Sequence, residues 1–343
     1  MLALRKTKVG FGLEARDVPD PGPVGPGQVR IQVEAVGICG SDVHAYEWTD
    51  GYDFMVPHLP VTMGHEFAGR VIAVGPGTAL REGARVAVHP RVYPGDGSAG
   101  WPGDPRLRGS RQTLGLTIDG GFARTLNVPA GNALLLPDPV DTELGALVEP
   151  LAVAAEAVLV GEVGLGDTVL VLGPGTIGQG LALMARAAGA GRVIIAGRAD
   201  QPRFAVLNQL GFTETVDVAE GPLKEQVLAA NGGRPVDVVL EATGHPPSIT
   251  EALPALRYEG VLVVVGIHPG PLTLPLTAFV RNRQQLRASH GSEPRTWERV
   301  IALLARDPEG YRPMITHRLP LERGLEGFEL ARQRAASKVI LNP

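Results

Sequence analysis

The first part of the chain carries short alternating or apolar runs: QVRIQVEAV at 28–36, FAGRVIAVG at 67–75 and ARVAVHP at 84–90. A period of two turns one strand face to a core and the other to water. Gly- and Pro-rich breaks such as PDPGPVGPGQ at 19–28 separate the runs. The first ~145 residues are therefore expected to form a β-rich domain with long loops. The texture changes after Glu149. LAVAAEAVLV at 151–160 reads as a helix and DTVLVLG at 167–173 as a buried strand. In TIGQGLALMARAAGA at 176–190, Ile177, Leu181, Met184 and Ala188 fall at helical spacing. RVIIAG at 192–197, VDVVLEATG at 236–244 and GVLVVVGI at 260–267 are further apolar strands, with helical patterns between them. Such alternation predicts a doubly wound parallel sheet, so the fold class is α/β beside a β-rich domain. From about 286 the segments are mixed again, and no internal repeat is present.

Composition narrows the function classes. A chain of 343 residues suits two domains, and 44% hydrophobic with 20% charged residues is ordinary for a soluble globular protein. A net charge of −4 offers no global positive field to nucleic acid or an anionic membrane. A single cysteine forms no internal disulfide and lends no support to secretion. The start, MLALRKTKVG, lacks the features of a signal peptide. The apolar runs, VLVVVG at 261–266 for instance, fall well short of the ~20 residues of a membrane span. A cytoplasmic protein with a small-molecule partner is expected.

After the DTVLVLG strand, GPGTIG sets Gly173, Gly175 and Gly178 at G-x-G-x-x-G spacing, with Thr176 and Ile177 between. The loop joins a strand to a helix, the context that dinucleotide binding requires. Gly173 allows the tight turn, Gly175 the approach of a pyrophosphate, Gly178 close packing of helix on strand, and the helix N-terminus attracts the phosphates. A merely tight turn is the plain alternative. The next strand should end in an acid that binds the ribose of NAD. It ends AGRAD instead: Gly197 stands where the acid would be, Arg198 follows, and Arg203 is near. Arginine without the carboxylate suits a ribose 2′-phosphate and so leans to NADP. The competing reading leaves Arg198 solvated and has Asp200 reach the ribose.

Cys39, in GICGSDVHAYE at 37–47, is the only cysteine. A free cysteine is often a small buried hydrophobe. Downstream, TMGHEFAGRV carries His65 and Glu66, and LGALVEPLAVAA carries Glu149 before Pro150. Thiolate, imidazole and carboxylate are zinc ligands, although singly His65 reads as a core histidine and the glutamates as surface charges. Glu149 lies in an apolar run, where an unpaired carboxylate is costly, so a metal or cationic partner is expected for it.

GICGSDVH, GHEFAG, the Glu-Pro before the sheet domain and GPGTIG together resemble the zinc-dependent medium-chain alcohol dehydrogenases. Glu149 points to the polyol (sorbitol, iditol) and threonine dehydrogenase branches. The resemblance runs over essentially the whole chain, down to the terminal KVILNP. It implies a GroES-like catalytic domain from 1–150 and 286–343 around an inserted Rossmann domain at 151–285, in a homo-oligomer (dimer or tetramer). By motif match Cys39 and His65 are zinc ligands. Glu66 and Glu149 supply the carboxylate side, one bound directly and the other able to act through water. Asp42 orients His65. Ser41 takes the alcohol proton and His44 relays it to water through the cofactor ribose; a turn hydroxyl and a solvated histidine are their plain alternatives. Thr243 in VLEATG and Gly266 and Ile267 in VVVGI flank the nicotinamide. The implied chemistry is a Lewis-acidic zinc that lowers the pKa of an alcohol, with hydride passing to the nicotinamide.

The chain departs from the family at GDGSAGWPGDPRLRG, 95–109. Many relatives hold a second, structural zinc there with four cysteines. The corresponding positions are Gly95, Ser98, Trp101 and Gly109, none of them a thiolate donor. Pro94, Pro102, Pro105 and Trp101 are expected to order the loop instead, and one catalytic zinc per subunit follows. The expected activity is hydride transfer between NAD(P) and a secondary alcohol of a polyol, sugar or amino alcohol. The 44–66 segment resembles the threonine dehydrogenase loop. Two rivals remain: a metal-free quinone or enone reductase on the same fold, which would leave Cys39, His65, Glu66 and Glu149 without a purpose, and a non-catalytic nucleotide-binding protein.

Overall fold

The computed structural model describes residues 1–93 and 111–343, so the expectations for 95–109 lie outside the described residues. The chain divides into two compact units, Met1–Glu149 with Trp297–Pro343, and Pro150–Thr296. The elements that position the site are, along the chain, β1 (Gln28–Gly37), α1 (Gly40–Glu47), β2 (Glu66–Val74), β3 (Arg85–Val88), α2 (Val148–Val160), β4 (Thr168–Leu172), α3 (Thr176–Ala188), β5 (Arg192–Gly197), β6 (Thr215–Asp217), β7 (Val236–Glu241), β8 (Leu256–Val264), β9 (Gln285–Ala288), β10 (Ile315–Pro320) and β11 (Lys338–Asn342).

In the first unit β1 is the spine of a sheet ordered β3-β2-β1-β11-β10. Val29, Ile31 and Val33 are buried while Gln32 between them is exposed, the alternation seen in the sequence. From Ala35 to Gly37 every residue is buried, because here β1 is flanked by β2 and β11 and runs into the interior. β2 lies antiparallel to β1 with Gly37 opposite Glu66, and β11 lies antiparallel on the other side with Ile340 opposite Gly37. Both chain ends thus build one sheet, packed over Phe67, Phe122 and Phe328. Phe122 meets Phe328 edge-on at 5.6 Å. Burying each such ring is worth roughly 1.5–3 kcal/mol.

The second unit is a six-stranded parallel sheet ordered β6-β5-β4-β7-β8-β9. The order reverses beside β4, the first strand, as in a Rossmann fold, where ligands bind beyond the carboxyl ends of the strands. Val169 to Leu172 are buried throughout, which is why they read as an unbroken apolar run. β8 begins at Leu256, earlier than the run at 260–267, because Arg257, Tyr258 and Glu259 are exposed and its continuous buried stretch starts only at Gly260. A change of domain at 286 was expected. Instead β9 pairs with β8 from Val261↔Gln285 to Val264↔Ala288, and the unit runs to Thr296. As an edge strand, largely exposed, β9 lacks the apolar signature of its neighbours. Among the described residues no helix is long and apolar enough to cross a membrane.

Candidate functional site

β1 ends at Gly37, and Cys39 caps α1 in an extended conformation. The Asp42 side chain reaches back from the first turn, its Oδ2 accepting the Cys39 N–H at 2.9 Å, which fixes the turn carrying the thiol. Asp42 is fully buried, and its Oδ1 stands 3.3 Å from His65 Nδ1. That contact falls short of hydrogen-bond geometry, so both atoms stay without a hydrogen-bond partner. The other ring nitrogen, Nε2, lies 3.1 Å from Ser41 Oγ. Glu66 opens β2 beside Gly37, fully buried. Its Oε2 accepts from Lys338 Nζ, and its Oε1 is buried with no partner.

Among the described residues, Cys39, His65 and Glu66 form one grouping whose candidate ligand atoms lie within 4.8 Å of one another. Glu149, in the first turn of α2, is outside it. Cys39 and Glu149 each keep some surface, yet the packing around them governs their protonation. Burial pushes the Cys39 thiol up and Glu66 adds to this, while His65 opposes it. Burial pushes Glu149 up to about 7, with Glu66 adding and His65, Lys338 and Arg91 opposing. Burial alone would lower His65, but Asp42 and Cys39 carry it well above its usual value. A sulfur, a ring nitrogen and a carboxylate are the donor set of a catalytic zinc, and the orphaned, buried Glu66 Oε1 is costly without a partner. The residues fit zinc.

His44 stands apart from this grouping. It is half-buried, with Nδ1 3.1 Å from Thr49 Oγ1 and its ring stacked at 5.9 Å on Tyr52. Burial lowers its pKa, with Glu47 opposing.

In the second unit Gly173 to Gly178 join β4 to α3, with Gly175 as the helix cap. A Cβ at Gly175 would meet nothing nearer than Arg203 Nη1 at 3.9 Å, so the space above it is open. Thr176 and Ile177 begin α3 half-buried. Gly197 has no room for an acid, because a Cβ there would stand 2.8 Å from the Phe204 ring and 2.9 Å from Pro174. Arg198 beside it is exposed, whereas Asp200 is buried and paired with Arg203 at 3.2 Å. Thr243 is exposed at the end of β7, its N–H and hydroxyl both donating to Glu241 Oε1 at 2.6 Å. Gly266 sits against this turn, where a Cβ would lie 2.5 Å from Gly244 N, and Ile267 is exposed.

Three residues escaped the sequence reading. Lys338 pairs with Glu66, and Glu241, fully buried, is 2.7 Å from His268 Nε2. A charge inside an apolar run (VDVVLEATG, KVILNP) was the available signal, the same one that drew notice to Glu149.

Comparison with known proteins agrees with this architecture. The Alcohol dehydrogenase GroES-like domain matches residues 25–138, and the Zinc-binding dehydrogenase domain matches 176–306. The chain is 32% identical to a sorbitol dehydrogenase of Halalkalibacterium halodurans, covering 100% of this chain and 99% of that protein. The chain belongs to the zinc-dependent medium-chain alcohol dehydrogenase family. It is likewise 32% identical to an L-threonine 3-dehydrogenase of Pyrococcus horikoshii, over 99% of this chain and 98% of that protein. Among solved structures, a 2R,3R-butanediol dehydrogenase from Bacillus subtilis superposes with a TM-score of 0.89 at 28% identity, over 100% of this chain and 99% of the other. This medium-chain dehydrogenase is accordingly an NAD(P)-dependent alcohol oxidoreductase, which sets aside the non-catalytic reading.

Proposed function

We infer that the substrate is a secondary alcohol of polyol, sugar or amino-alcohol type, or its ketone, and that NADP is preferred to NAD. One zinc ion per subunit is held by Cys39, His65 and Glu66. The observation that carries this reading is their convergence, with Glu66 Oε1 left without a partner. The substrate class draws on the sorbitol and threonine dehydrogenases among the relatives.

When bound, zinc supplies Lewis acidity to the substrate oxygen and the nicotinamide supplies the hydride acceptor. The chain does the rest. Asp42 fixes the Cys39 turn through Oδ2 and, with Oδ1 beside Nδ1, sets the His65 ring so that Nε2 faces the grouping. Ser41 Oγ, beside that nitrogen, takes the substrate hydroxyl proton. His44, kept neutral by burial and steadied by Thr49, is the relay to water. Glu149 acts through water as the second carboxylate. The N-terminus of α3 receives the pyrophosphate over Gly175. Thr243, Gly266 and Ile267 contact the nicotinamide, and Arg198 meets the 2′-phosphate with Arg203 nearby.

A panel of polyols, aldoses and amino alcohols, assayed with each cofactor before and after zinc removal, tests this reading. Failure on every secondary alcohol, or turnover indifferent to zinc, would contradict it. Arg198→Ala should raise the Kd for NADP by roughly 10- to 100-fold, the worth of a charge-assisted hydrogen bond to phosphate, and leave that for NAD nearly unchanged. Titration by cofactor fluorescence measures both, and equal losses would remove Arg198 from the 2′-phosphate site.

We also infer a cytoplasmic homo-oligomer, a dimer or tetramer. Supporting it are the open edge at β9, where Leu286 is 39% exposed, and the preceding helix Leu276–Arg281, whose Leu276 and Val280 are 63% and 68% exposed. A monomer in sedimentation would contradict it.

A further inference from the structure

Lys338 begins β11 and is 1% exposed. An ammonium group so deeply buried must be paired. Its Nζ donates to Ile38 O at 3.0 Å and to Glu66 Oε2. The sheet brings these groups together, since β11, β1 and β2 are neighbours and Gly37 stands opposite both Ile340 and Glu66. A Cβ at Gly37 would lie 2.3 Å from Glu66 Oε2 and 3.3 Å from Lys338 Cδ, so position 37 leaves the pair the space that a side chain would take.

The pairing divides the Glu66 carboxylate. Oε2 is engaged by the ammonium, whereas Oε1 is buried and unpartnered, and the carboxylate belongs to the same grouping as Cys39 and His65. Carboxylates bind metals through one oxygen or through both. Catalytic zinc takes three protein ligands and keeps a fourth position open. A carboxylate using both oxygens would make the site five-coordinate once solvent or substrate is bound, and so crowd that position.

We propose that Lys338 is a positioning residue that holds Glu66 to one-oxygen ligation and so keeps a coordination position free for the substrate. This rests on the zinc reading of the preceding subsection. Lys338 touches neither substrate nor cofactor in this account; it acts through Glu66, as outer partners of metal ligands do.

The test is cobalt(II) substitution, because visible d–d absorption is intense for four-coordinate cobalt and weak for higher coordination. The native protein should give the intense spectrum. Lys338→Met, similar in length but without charge or donor, should bind cobalt with an absorption several-fold weaker. Its kcat with zinc should fall roughly 10- to 100-fold, with the Kd for the dinucleotide unchanged. Should the methionine variant fail to fold, Lys338→Gln, shorter and uncharged, should shift the spectrum in the same direction. A cobalt spectrum equal to the native one in folded variants would overturn the proposal, even with kcat reduced, since Lys338 would then be structural only. Loss of cobalt binding altogether in a folded variant would also overturn it, because freeing a second oxygen should not cost the metal. If the native protein binds no cobalt, the zinc reading falls and the proposal with it.

Discussion

Cys39→Ala should lower kcat by ~1000-fold or more while leaving the affinity for NADP nearly unchanged. Metal activation of an alcohol is worth several kcal/mol, and each 1.36 kcal/mol is about a factor of ten in rate. Alanine in place of the thiol leaves His65 and Glu66 as two donors, too few for the site that the grouping describes. The substitution is mild for the fold, since Cys39 is partly exposed and its backbone, held by Asp42, keeps its extended cap conformation. The dinucleotide loop belongs to the other compact unit, so binding there is not expected to follow the loss of the metal. Steady-state kinetics and a cofactor titration read the two effects separately. Retention of more than roughly a tenth of kcat would return Cys39 to the role of a small hydrophobe.

Gly178→Ala should be as damaging to the other half of the reaction. The added Cβ would stand 1.7 Å from Gly173 O and 2.9 Å from its carbon. Both groups are backbone, so no rotamer relieves the clash, and α3 must move away from the end of β4. Overpacking of this kind costs ~1–3 kcal/mol where neighbours yield, and more where they cannot. The Kd for either dinucleotide should rise by more than ~100-fold, because the pyrophosphate cradle depends on that helix–strand contact. Gly175→Ala separates folding from binding. Its Cβ would meet nothing nearer than 3.9 Å, so the thermal midpoint should hold while dinucleotide binding weakens. Native affinity in both variants would remove this loop from the cofactor site.

The elements most legible in the sequence were those whose burial is simple. β4 and β7 are buried on both faces and read as continuous runs, and β1 shows its alternation up to Ala35. β9 was missed as a member of the parallel sheet because an exposed edge strand keeps polar residues. Glycine and cysteine chemistry was equally readable, since Gly178 and Cys39 act through size and donor type at fixed spacing. Which carboxylate joins Cys39 and His65 was not readable, because residues distant along the chain are brought together only by the fold and spacing does not encode that. The structure brings Glu66 within the grouping and leaves Glu149 outside it. The pairing of Lys338 with Glu66 was unreadable for a related reason: the two are 272 residues apart and become neighbours only because β11 and β2 both pair with β1.

Zinc per subunit, followed by elemental analysis against turnover and near-UV circular dichroism as a chelator is added, tests the central claim most directly. The account predicts about one ion per subunit in the native protein, because a closed structural site takes four ligands, usually thiolates, and the only thiol is the one beside His65 and Glu66. Turnover should disappear in step with that ion while the dichroism persists. A ratio near two, unfolding in step with metal loss, or full turnover after the last zinc is gone would contradict it.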